Sequence, residues 1–179
     1  MKLTFAGQAG FILQTEDGYR VGIDLYLSDC CNRYFGLKRL MPYMFNPMEL
    51  ELDLLIATHA HYDHFDPDSI PLMMGNGRTE LLCACDCKEE AEKLCLNESR
   101  ITYLKVGDVF RNDRIAIKAM PCDHGDEAPE AIGLLIEADG KRIYIAGDTC
   151  YREDYFENKE LSGADVFIFP APYIFYMTF

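Results

Sequence analysis

The chain has 179 residues, 49% of them hydrophobic, eight cysteines and a formal net charge of −13. That length and apolar content suffice for one domain with a buried core, and the absence of a long apolar run argues against a membrane-spanning helix. The acidic balance opposes non-specific binding to nucleic acid or to an anionic membrane, because the chain would be repelled by both.

Taken in chain order, Leu3 to Thr15 and Tyr19 to Leu25 are expected to be strands around a hairpin turn at Glu16, Asp17 and Gly18. The start at Met1 lacks the apolar segment of a signal peptide, so a cytoplasmic location is expected. An aromatic, proline-containing insertion runs on to Asn46 and Pro47, and Leu52 to Ala57 has the length and composition of a buried strand. Asp66 before Pro67 predicts a helix cap with proline at the first helical position. Leu81 to Cys85 predicts a strand, Lys88 to Leu96 a short helix, and Ile101 to Leu104 another strand. Two more strands are expected at Ile115 to Met120 and Ile132 to Glu137. The second turns at Asp139 and Gly140 into a strand from Lys141 that ends near Asp148. This alternation predicts an α/β sandwich, and the absence of repeats and linkers predicts one domain over residues 1–179.

All four histidines, His59, His61, His64 and His124, stand just past predicted strands, three of them within the run Thr58 to Asp66. In extended chain, residues i and i+2 point the same way, so His59 and His61 can grip one ion while Asp63 and His64 face a second. Imidazole and carboxylate suit zinc first, with manganese or iron as alternatives, and one or two ions are expected. A metal-activated hydroxide would then attack an ester, lactone or phosphoester, with Asp63 orienting it as the catalytic residue. The structural alternative is a set of solvated loop residues and caps, which this density of ligand types disfavours.

The run His59-Ala60-His61-Tyr62-Asp63-His64, together with His124 in Pro121 to Gly125 and Asp148 in Gly147-Asp148-Thr149, resembles the metallo-β-lactamase fold superfamily. The resemblance implies an αββα sandwich, with His59, His61 and His124 on one metal, Asp63 and His64 on a second, and Asp148 bridging them. Ile23 to Ser28, the insertion, Ala146 to Tyr151, and Tyr155-Phe156 resemble more narrowly the lactonases that open L-ascorbate 6-phosphate and their relatives. That implies a small anionic substrate. Two departures stand out. Gly7-Gln8-Ala9 replaces a Gly-His-Ala found in many relatives, and no histidine follows His124 to supply the family's last metal ligand. The apolar stretch Val166 to Phe179 is expected to be a buried strand, leaving the fold incomplete at the C-terminus. Its aromatics, Phe167, Phe169, Tyr173, Phe175 and Tyr176, are expected to drive homo-oligomer formation.

The remaining features have ordinary explanations. Adjacent Cys30 and Cys31, and alternating Cys83, Cys85 and Cys87, lack zinc-knuckle spacing and are expected to be reduced thiols. Cys122 and Cys150 flank His124 and Asp148 and are expected beside the site. Arg33, Lys38 and Arg39 make a basic island that could hold a substrate anion, although a solvated surface is the plainer expectation. The predicted activity is therefore a lactonase-like metal-dependent hydrolase. The alternatives are a catalytically impaired metal binder that lacks the last histidine and a diiron oxidoreductase, against which His61 counts because that group usually carries glutamate there.

Overall fold

A computed structural model describes residues 1–150 and 157–170. Tyr151, Tyr155, Phe156, Tyr173, Phe175 and Tyr176, on which expectations above rest, lie outside the described residues. The chain divides into two compact units, Met1–Leu104 and Lys105–Phe179, each built on one sheet.

The first unit opens with β1 (Lys2–Gly7), β2 (Gly10–Gln14) and β3 (Arg20–Ile23), followed by α1 (Cys30–Phe35) and β4 (Leu54–Ala57). After these come α2 (Ile70–Met74), β5 (Glu80–Ala84), α3 (Lys88–Lys93) and β6 (Ile101–Leu104). Its six strands lie in sequence order. β1 to β3 are antiparallel, and β3 to β6 are parallel.

The stretch expected as one strand from Leu3 to Thr15 is two strands. Gly7 (φ +97°) and Gln8 (φ +54°) turn the chain back in the left-handed region, and Gln-Ala is not a sequence that announces such a turn. The helix cap expected at Asp66 is corrected: Asp66 accepts from Asp68 N and Ser69 N in the preceding turn, and the helix begins later, at Ile70, with Ser69 at its N-cap position.

All four residues of β4 are buried, which is what a strand with parallel neighbours on both sides requires. Leu54, Leu55 and Ile56 each contribute about 1.5–3 kcal/mol by leaving water. Gly22 in β3 is needed for this packing, since a Cβ there would stand 2.6 Å from Leu25 Cδ1 and 2.8 Å from Leu52 Cδ1. The parallel run of β3, β4 and β5 brings their C-terminal ends to one side of the sheet, the side where α/β proteins place ligands.

The second unit holds β7 (Val109–Arg111), β8 (Ala116–Pro121), β9 (Ile132–Ala138), β10 (Lys141–Ile145) and β11 (Val166–Ile168). The order is β11-β10-β9-β8-β7, antiparallel except for the parallel β10 and β11 pair. Because β8 and β10 both run antiparallel to β9, their C-terminal ends emerge on the same side. The core gathers Met120, Leu135, Tyr144, Ala146 and Leu161. The expectation of a buried strand from Val166 is corrected over its described part. β11 pairs on one side only among the described residues, and Val166 and Phe167 are exposed. No helix among the described residues is long and apolar enough to cross a membrane.

Candidate metal centre

His59, His61 and His64 converge at the end of β4. His59 and His64 are fully buried and His61 is half-buried. Their rings stand 4.6 Å (His59 to His61) and 4.1 Å (His59 to His64) apart between centroids, and His59 Nε2 is 3.0 Å from His61 Nδ1. The backbone does not stay extended as predicted. A tight turn, in which His64 N and Phe65 N both donate to His61 O, folds His64 back toward His59, and buried Phe65 anchors it.

Behind the imidazoles stands a carboxylate that the sequence argument did not assign to the site. Asp24 follows β3, is almost wholly buried, and holds φ +46°, a conformation an aspartate tolerates better than most residues. Its Oδ1 accepts from Thr58 N (2.8 Å), and its Oδ2 accepts from Thr58 Oγ1 (2.9 Å) and lies 3.1 Å from His64 Nδ1. Thr58 Oγ1 also lies 3.2 Å from His59 Nδ1. A carboxylate behind an imidazole fixes its orientation and raises its basicity as a ligand. An acidic residue directly at the end of a buried strand was the signal available for it.

Asp63 is partly exposed. Its Oδ2 accepts from Gln8 Nε2 at 3.3 Å and lies 3.9 Å from His64 Nε2, so the amide that replaces the usual histidine still faces the centre. Asp86, just beyond β5, accepts from Ala60 N and steadies the loop from a third strand end. Tyr62 O–H donates to Glu90, and burial together with that carboxylate pushes its phenol above the ordinary value.

In the second unit, His124 and Asp148 sit on loops that are bonded to each other. Asp123 N donates to Thr149 Oγ1, Cys150 N donates to Asp123 O, and Cys122 Sγ donates to Asp148 O. These loops meet beyond the start of β9, where Gly133 lets the chains approach; a Cβ there would lie 3.2 Å from Ala146 O.

Cys30, Asp66 and Asp68 also lie close enough to suggest a metal site, but their chemistry refuses one. The Asp66 carboxylate already accepts from Leu27 N, Ser28 N, Ser28 Oγ, Asp68 N and Ser69 N. Asp68 pairs with Arg33, and burial pushes the Cys30 thiol up to about 12. The basic island is likewise engaged within the protein. Besides the Arg33 to Asp68 pair, the Arg39 guanidinium donates to Tyr26 O, Met41 O and Pro42 O and stacks over the Tyr26 and Tyr43 rings.

A family profile described as the beta-lactamase superfamily domain matches residues 25–175. The chain belongs to that superfamily. A UPF0173 metal-dependent hydrolase of Saccharolobus solfataricus is 30% identical over 116 residues, 64% of this chain and 51% of that protein. One from Thermus thermophilus is 31% identical over 165 residues, 89% of this chain and 66% of that protein. The chain thus spans about half the length of the first relative and two thirds of the second. Among solved structures, a possible metal-dependent hydrolase from Veillonella parvula superposes with a TM-score of 0.71 at 18% identity, over 92% of this chain and 69% of that one. The mixed α/β fold with two sheets is accordingly that of the metallo-β-lactamase-like proteins.

Proposed function

We propose that the chain is a metal-dependent hydrolase of small anionic esters, lactones or phosphoesters, and that His124 and Asp148 complete the centre begun by His59, His61, Asp63 and His64. The observation that carries this is the packing of three imidazoles at one strand end with a buried carboxylate behind them. Such a cluster is costly to bury without a cation to hold, and its donor set fits zinc, manganese or iron. When bound, one or two such ions would lower the pKa of a water ligand and polarise the scissile bond.

The chain's own groups then do the following. Asp24 and Thr58 hold the Nδ1 edges of His64 and His59, which would orient both rings as metal ligands. Asp63, kept in place by Gln8, orients the attacking water and takes its proton at a carboxylate oxygen. Because Arg33 and Arg39 are engaged internally, recognition of a substrate anion would fall to the charge of the metal itself. A cytoplasmic setting suits a chain with eight cysteines, of which Cys30, Cys31, Cys83 and Cys87 are buried as thiols.

A panel of lactones, carboxylic esters and phosphoesters, assayed with the chain loaded with each metal in turn, tests the proposal. Hydrolysis of one class that falls on the order of 100-fold in Asp63→Asn supports it. Metal retention without turnover of any class would favour the impaired binder instead.

A further inference from the structure

Eight of the fifteen exposed large hydrophobic residues among the described residues fall within one stretch, 34–48: Tyr34, Phe35, Leu37, Leu40, Met41, Tyr43, Met44 and Met48. We propose that this face is where a second copy of the chain docks, making a two-fold dimer.

The surface is preformed. Tyr34 and Phe35 pack on Tyr62 at centroid distances of 5.3 and 5.4 Å, and Tyr62 in turn packs on the cluster of Tyr26, Cys30 and Cys31. Arg39 ties Met41, Pro42 and Tyr43 to that same cluster, bonding Tyr26 O, Met41 O and Pro42 O and lying over the Tyr26 and Tyr43 rings. Tyr34, Phe35 and Tyr43 are therefore held to one underlying support.

Together they present roughly 900 Å² of accessible surface, more than the largest patch of a typical monomer and close to one partner's share of a standard interface. Leu40, at 94% exposure, is the most projecting of them.

Charge selects the occupant. In a chain of net charge −13, residues 30–48 contain no acidic residue. Two copies can meet here without bringing carboxylates together, while repulsion opposes contact elsewhere. Arg33 is balanced by Asp68, so Lys38 and Arg39 are the net charges that the face brings to its partner. An anionic lipid surface would be repelled by the rest of the chain. Closed two-fold pairing is also the commonest arrangement for such a patch.

Sedimentation velocity of the full chain tests the proposal, with Leu40→Glu/Met44→Glu as the breaking variant and Phe167→Glu as the control for the other exposed aromatic face. Circular dichroism checks that both variants are folded. The expected result is twice the mass of one chain for the wild type and the control, and one chain mass for the double variant. A wild type that stays monomeric at high concentration, a double variant that remains dimeric, or a dimer that dissolves with Phe167→Glu overturns the proposal. So does a monomer that floats with phosphatidylcholine and phosphatidylglycerol vesicles.

Discussion

Asp24 illustrates how a single residue sets the geometry of the centre. Its carboxylate satisfies Thr58 twice and reaches His64, so truncation strands a buried amide N–H and an imidazole edge together. We expect Asp24→Ala to cost about 3 kcal/mol of folding stability, measured by urea unfolding of the metal-free protein. Asp24→Asn, which keeps the shape and one acceptor, should cost less than half as much; equal losses would show that the charge and second acceptor, and not the shape, matter there. Thiol chemistry gives a second test at this scale. Cys30 is fully buried and burial pushes its thiol up to about 12, whereas Cys95 and Cys150 are exposed. Iodoacetamide at pH 8 should label Cys95 and Cys150 first, as mapped by peptide mass spectrometry. Early labelling of Cys30 would mean that the loop before α1 opens in solution.

At the scale of elements, Asp66 and Asp165 each tie two segments together. Asp66 joins the loop after β3 to the turn before α2 through five donors, so Asp66→Ala should lower stability by about 3 kcal/mol, read from a denaturant midpoint. Asp165 fastens β11 to β10 by accepting from Lys141 Nζ and Arg142 N, and Lys141 first and the Arg142 N–H second hold its carboxyl below the ordinary value. A carboxyl held low stabilises the fold above the ordinary carboxylate range and ceases to do so as pH falls through its lowered pKa. The melting temperature of Asp165→Asn should therefore lie below wild type at neutral pH and converge with it in strong acid. A constant gap across that range would contradict the assignment.

Most strands were legible because their signals were local. β6 stands where Ile101 to Leu104 placed it, β5 and β8 are shifted by one residue at each end, and β9 runs one residue further, to Ala138. What escaped depended on partners distant in sequence. The reversal at Gln8 uses a backbone conformation its residue type does not announce, and α1 is a short helix with two buried cysteines inside what read as an irregular insertion.

For the whole molecule, the histidine run pointed to the superfamily that the profile match shows, because the spacing of such residues is read directly from sequence. The carboxylate of Asp24 was invisible as a partner until β3 and β4 were seen side by side. Likewise, the basic island looked available for a substrate anion until Arg39 was found bonded to the backbone of its own loop. The account as a whole rests on the cluster of His59, His61 and His64 being a metal centre. Metal content by inductively coupled plasma mass spectrometry, compared between wild type and His61→Ala after reconstitution and gel filtration, tests this most directly. Half-buried His61 can be removed without emptying the core. The wild type should retain at least about one divalent ion per chain and the variant should lose most of it, with unchanged circular dichroism. Retention of no metal by the wild type, or of equal metal by a folded His61→Ala, would contradict the account.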